Sequence, residues 1–104
     1  MKNEKRILSL TLVKSSFDIM VSGEKNIEYR NATKWILSRL NKSYDDVKFV
    51  NGYGRNRPFF TAKFVKWDFA EKNETITYSN GHKVYIKTGM IMIFLGNIID
   101  VGNL

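Results

Sequence analysis

The sequence predicts an α+β fold: a small, curved, mostly antiparallel sheet or closed barrel with two early helices flanking it. Two stretches with helical spacing occur early, and short β-prone runs fill the remainder. A long aromatic run, "FFTAKFVKWDF", breaks its own alternation in the manner of a bulged or strongly curved strand. Closure of such a sheet also protects edges rich in Phe, Ile and Tyr.

Each element has its own local reason. "RILSLTLV" sets Leu8, Leu10 and Leu12 against Ile7, Ser9 and Thr11, the alternation of a half-buried strand. In "SSFDIMVSG" Ser15 or Ser16 is placed to cap, and Phe17, Met20 and Val21 recur at helical spacing. Gly23 suits the left-handed position after the last turn. A short strand over residues 26–30 follows, with Ile27 and Tyr29 expected inward and Glu28 and Arg30 on the opposite face. A second helix is expected over roughly residues 32–41, its buried stripe formed by Ile36, Leu37 and Leu40, with Trp35 at the stripe's edge.

The remainder reads as strands. "DVKFVN" is one, and "NGYGRNRP" is the loop that joins it to the aromatic run. In "ITYSNGHKVYI" the pair Asn80-Gly81 signals a type I′ hairpin turn, which leaves His82 exposed just beyond it. Gly89 interrupts the chain before a buried strand, "MIMIFLG", and a last segment, "NIIDV". No repeat, linker or low-complexity tract divides residues 1–104, so one domain is expected.

Composition excludes several chemistries. Cysteine is absent, so disulfides, thiolate metal sites and thiol nucleophiles are ruled out. His82 is the only histidine, which excludes a multi-histidine metal site. Neither a metal nor a cofactor is expected. The apolar stretch at the N-terminus is short and interrupted, and residues 90–96 are too few to span a bilayer. These features predict a cytoplasmic protein with no membrane partner.

Charge is unevenly spread. The net charge is +7, and no acidic residue lies between Asp46 and Asp68, where Lys48, Arg55, Arg57, Lys63 and Lys66 supply five positive charges. Such a surplus favours an anionic partner, although it also serves as a solubilising surface.

Two constellations fall beside this charge. "GEKNIEYR", residues 23–30, brings Lys25, Glu28 and Arg30 together. Read structurally, Lys25 answers the dipole of the preceding helix, and Glu28 pairs with Arg30 across one strand face. An exposed pair of that kind contributes about 0–1 kcal/mol. Read functionally, the same charges form the wall of a binding cleft. The second constellation is the loop. Asn51 can read a base edge, Tyr53 offers a ring for stacking, and Arg55 and Arg57 supply cations, while Gly52 and Gly54 permit close backbone approach. Trp35 and Trp67 read as core or rim aromatics.

Gly23-x-Lys25-x-x-Glu28-x-Arg30, behind a strand and a short helix, resembles the signature of the ASCH (activating signal cointegrator homology) domain of the PUA-like superfamily. "LSLTLVKSSFDIMVSGEKNIEYR" is similar to that family's opening strand–helix–strand. "VKFVNGYG" is similar to the strand and glycine-bearing loop of small bacterial and phage members. The likeness covers most of the chain, with its specificity in residues 23–30. It implies a small PUA-like β-barrel of mostly antiparallel strands and a cleft that binds RNA, another nucleic acid or a nucleotide. The residues it implies are Lys25, Glu28 and Arg30, joined by Asn51, Tyr53, Arg55 and Arg57.

The resemblance also implies an alternative. Some small ASCH-like proteins are amidohydrolases that deacetylate modified cytidine with the motif lysine, a threonine and a separate glutamate. Here Lys25 matches the lysine, but Glu28 stands where the threonine would be. In that reading Lys25 polarises the amide, Glu28 activates water and Arg30 stabilises the oxyanion. Glu71 and Glu74 are the candidates for the separate glutamate. Ribonuclease activity and recognition of an acidic peptide are further expectations for the same cleft.

Overall fold

The computed structural model describes residues 4–104. Alternation in β1 (Ile7–Leu12) buries Leu8, Leu10 and Leu12. Helix α1 (Lys14–Val21) buries Phe17, Ile19 and Met20 and leads to β2 (Ile27–Arg30). Helix α2 (Lys34–Leu40) comes next, then β3 (Asp46–Asn51), β4 (Phe59–Phe69), β5 (Glu74–Thr77), β6 (Lys83–Ile86) and β7 (Ile91–Gly102).

Five strands form one sheet in the order β1-β3-β4-β7-β2. The β1–β3 pair is parallel and the others are antiparallel. β4 and β7 are long, and their register shifts three times between Thr61 and Lys66. Those shifts bend the ribbon, as bulges do, and curl the sheet into a half-barrel. The fold is thus α+β, with mostly antiparallel strands in a barrel-like curl. β5 and β6 form a separate two-stranded hairpin.

The concave face holds the core, in which Phe60 lies 5.3 Å from Phe17 of α1 and 5.0 Å from Phe49 of β3, centroid to centroid. All three rings are buried among the leucines of β1 and Ile91 and Ile93 of β7. Truncating a ring in such a core costs about 3–5 kcal/mol.

Several expectations need correction. Neither Ser15 nor Ser16 caps α1; Val13 occupies that position without a side-chain bond, because Ser16 turns inward. α2 is shorter than expected, and Thr33 caps it by accepting from the Ile36 N–H at 3.2 Å. Ile36 and Leu40 are its buried residues, while Leu37 and Trp35 are exposed. The run from "MIMIFLG" to "NIIDV" forms one continuous strand, β7. Gly96 does not interrupt it; a side chain there would stand 3.1 Å from the Lys63 Cβ, so glycine serves close strand packing.

The hairpin turn also differs. Gly81 has φ of 85°, but Asn80 does not take a positive φ, which a type I′ turn requires at both central residues. Tyr78 and His82 instead close a three-residue loop through Tyr78 N–H to His82 O at 2.9 Å. The Asn80 side chain is engaged elsewhere: its amide donates to the Ser15 carbonyl at 2.9 Å, and its oxygen accepts from the His82 N–H at 3.0 Å.

Candidate functional site

Strand register decides which way the motif points. Glu28 sits opposite Ile93, and Arg30 opposite Ile91, both wholly buried on the concave face. Ile27 and Tyr29 lie opposite Phe94 and Met92 on the other face. The expected facing of β2 is therefore reversed: its charges point inward. The expectation of an exposed Glu28–Arg30 pair falls with it.

The charges form one connected cluster. Lys25 Nζ donates to Glu28 Oε1 at 2.8 Å and to Ser16 Oγ at 3.0 Å, and contacts Met20 Sδ at 3.8 Å. Its side chain is only 2% exposed, so it does not serve as a solvated cation at the end of α1. The other carboxylate oxygen, Oε2, accepts from Arg30 Nε at 2.8 Å. Arg30 Nη2 then donates to the Thr11 carbonyl at 2.8 Å. One guanidinium thus ties β2 to β1, the two edges of the curled sheet. Ser16 explains the inward turn noted above: it is the hydroxyl that receives the buried ammonium.

This arrangement separates the three groups by availability. Both Glu28 oxygens hold cations, and the three donors of Lys25 are directed at Glu28, Ser16 and Met20. Arg30 is different. Its side chain is 27% exposed, and its Nη1 group has no protein acceptor among the described residues. Two cations on one carboxylate leave the cluster with one net positive charge.

The cluster lies at the wall of a cleft of about 310 Å³. Thr11, Leu12, Val13 and Ser16 form one side, and Tyr29, Arg30, Asn31 and Met90 another. The hairpin supplies the third through His82 and Val84. Glu28 is the only acid in the lining. A larger cleft, about 430 Å³, lies on the other side of Lys25 between α1 and β7. Met20, Phe60, Leu95 and Ile98 contribute apolar wall there, and its one charged lining residue is Lys25, whose ammonium is already engaged. The chemistry belongs to the smaller cleft.

Sequence reasoning missed His82. The ring is half-buried rather than exposed, and its Nδ1 lies 2.9 Å from Ser15 Oγ. Glu24 accepts from the Ser79 N–H at 2.9 Å and from the Ser79 hydroxyl at 2.5 Å. Together with Asn80, these contacts hold the hairpin tip on α1 and on the turn that follows it. Burial lowers the His82 pKa, the Lys25 ammonium lowers it further, and Glu28 opposes both. Burial, with the Tyr29, Glu28 and Glu24 charges, pushes the Tyr78 hydroxyl up to about 12. No sequence pattern announced these roles, because the hairpin meets α1 from more than sixty residues away.

The loop residues stand apart from the cleft lining. Tyr53 is 88% exposed, and Arg55 and Arg57 are exposed as well. Arg57 Nε donates to the Asn51 carbonyl at 2.7 Å. The link to the cleft is through the backbone: Gly52 N–H donates to the Leu12 carbonyl at 3.0 Å, and Leu12 lines the cleft. Loop and cluster therefore share one end of the sheet, but no side chain of residues 51–57 enters the cleft wall.

The remaining candidates lie elsewhere. Trp35 is exposed with the Arg39 guanidinium 5.2 Å over its ring, and Trp67 packs against the core. Glu71 and Glu74 are exposed and do not line the cleft. No group of three or more His, Cys, Asp or Glu side chains suited to a metal occurs among the described residues. No helix among them is long and apolar enough to cross a membrane. Comparison with protein-family models, curated proteins and solved structures finds no match.

Proposed function

We propose that this chain is a PUA-like, ASCH-type module that binds RNA or a nucleotide in the cleft beside Arg30. The observation that carries the reading is the division of labour within the cluster. Lys25 and Glu28 satisfy each other in the interior, and Arg30 keeps donors at the wall of a cleft that contains no uncommitted acid. A planar, permanently charged fork suits phosphate or the acceptor edge of a base. The Tyr29 and His82 rings flank the same space, and the cations of residues 55 and 57 stand at the same end.

Binding is preferred to turnover on the same grounds. An amidohydrolase acting on acetylated cytidine needs a carboxylate free to activate water and an ammonium free to polarise the amide. Here each is committed to the other at 2.8 Å.

The test is a salt series of fluorescence anisotropy titrations with single-stranded and hairpin RNA, using wild-type protein and Arg30→Gln. Log affinity is expected to fall linearly with log salt, by about 0.7 for each phosphate contacted on a single strand. Arg30→Gln is expected to weaken binding and flatten that line. Absent or salt-insensitive binding to every RNA, together with no binding of a nucleoside monophosphate, overturns the proposal.

A further inference from the structure

The loop from Gly52 to Arg57 has a backbone pattern that its side chains do not explain. φ is positive at Gly52 (76°), Gly54 (115°) and Asn56 (54°), and the residues between them are not left-handed. The sign of φ therefore alternates along the segment. Alternation of this kind is the backbone pattern from which anion-binding nests of main-chain N–H groups are built. Asn56 is notable because it is not glycine, although asparagine tolerates the left-handed region better than most residues.

Hydrogen bonding agrees with the pattern. Asn51 N–H donates to the Pro58 carbonyl at 2.9 Å and Gly52 N–H to Leu12, which anchors the base of the loop. The N–H groups of residues 53–57 have no protein acceptor among the described residues. The Arg57 guanidinium folds back over Gly52, with Nη2 3.4 Å from where a Cβ would be. No carboxylate occurs in this stretch of chain from Val47 to Trp67.

We propose that this loop is a phosphate-binding nest, in which the main-chain N–H groups of residues 53–57 cradle one phosphate and Arg55 and Arg57 add charge at its rim. The site uses backbone where the sequence pointed only to side chains. It includes none of the cleft's residues, so it stands or falls independently of the cleft.

The experiment is a ¹H–¹⁵N NMR titration of the full chain with two probes, inorganic pyrophosphate and the dinucleotide UpU. The amides of residues 53–57 are expected to shift with at least one probe. Preference for pyrophosphate assigns the site to free phosphates, and preference for UpU assigns it to a nucleic-acid backbone. Gly54→Ala, strained at positive φ, is expected to weaken binding on the order of tenfold, the loss of about one charge-assisted hydrogen bond. The amide spectrum of Gly54→Ala outside residues 51–58 is expected to match that of the wild type, which controls for general damage to the fold. Arg30→Gln is expected to keep these shifts, even where it abolishes binding in the cleft. Unmoved amides at 53–57 with both probes, or wild-type affinity in a well-folded Gly54→Ala, overturn the proposal.

Discussion

The β2 cluster and the 51–57 loop carry cations at one end of the same sheet, and both attach to the last residues of β1. Arg30 reaches the Thr11 carbonyl, and Gly52 reaches that of Leu12. In the cluster, a buried carboxylate receives two cations at 2.8 Å each, and Lys25 is sealed from water. In the loop, Arg55 and Arg57 are exposed, and the N–H groups of residues 53–57 have no protein acceptor among the described residues. The same kind of charge therefore does different work in the two places. Buried and saturated, it fixes the edges of a curled sheet; exposed and unsaturated, it remains available to a ligand. Arg30 belongs partly to each class.

Substitutions can break this contrast, beginning with its most deeply buried member. Glu28→Ala strands the Lys25 ammonium inside the protein, and breaking a buried pair from one side costs about 3–5 kcal/mol. Urea denaturation should show that loss. The double variant Lys25→Met/Glu28→Leu should recover much of it, because no unpaired ammonium then remains. If Glu28→Ala unfolds like wild type, the cluster is not a structural clamp.

Arg30→Gln should have a smaller effect on stability, about 1–3 kcal/mol, since the Oε2 of Glu28 and the Thr11 carbonyl lose a charged donor. The same denaturation curve measures it. In the loop the order of effects reverses. Arg55→Gln/Arg57→Gln should leave stability within about 0.5 kcal/mol, as surface changes do. RNA binding should become less salt-dependent, with a log–log slope shallower by about 1.4 if each arginine meets one phosphate. A stability loss as large as that of Arg30→Gln would erase the distinction between the two regions.

The smallest effect concerns pH. The folded protein holds the His82 pKa below its ordinary 6.5, mainly by burial and then through Lys25. The unfolded chain then binds the proton more readily, so this contribution is complete above pH 6.5 and is lost as pH falls through the folded value. Thermal melts between pH 7.5 and 5 should show a decline that His82→Gln flattens. The hairpin tip is the segment expected to loosen, because Ser15 and His82 join it to α1.

Much of the fold was legible because periodicity reports burial where a strand has one wet face. The leucines of β1 are the example, whereas in β4 the break in alternation pointed to the register shifts. β2 failed that logic. A strand reading Ile-Glu-Tyr-Arg suggests apolar residues inward, yet its charges neutralise one another and fill the space beneath α1. Local alternation cannot reveal that, since the deciding partners are Ser16 on another element and Thr11 on the far edge. The turn at Asn80-Gly81 failed for a similar reason: a tertiary bond to Ser15 claims the asparagine. The motif residues could be gathered from sequence, but the place of His82 depends on how the hairpin meets α1.

On the proposed reading, Arg30 presents a cation to an anionic ligand in the cleft between β1, β2 and the hairpin. A crystal soaked with a nucleoside monophosphate tests it most directly. Density is expected in that cleft, with a phosphate or base acceptor within hydrogen-bond distance of the Arg30 guanidinium and the Lys25–Glu28 pair still closed. A ligand bound only elsewhere, or an empty cleft at saturating nucleotide, would contradict it.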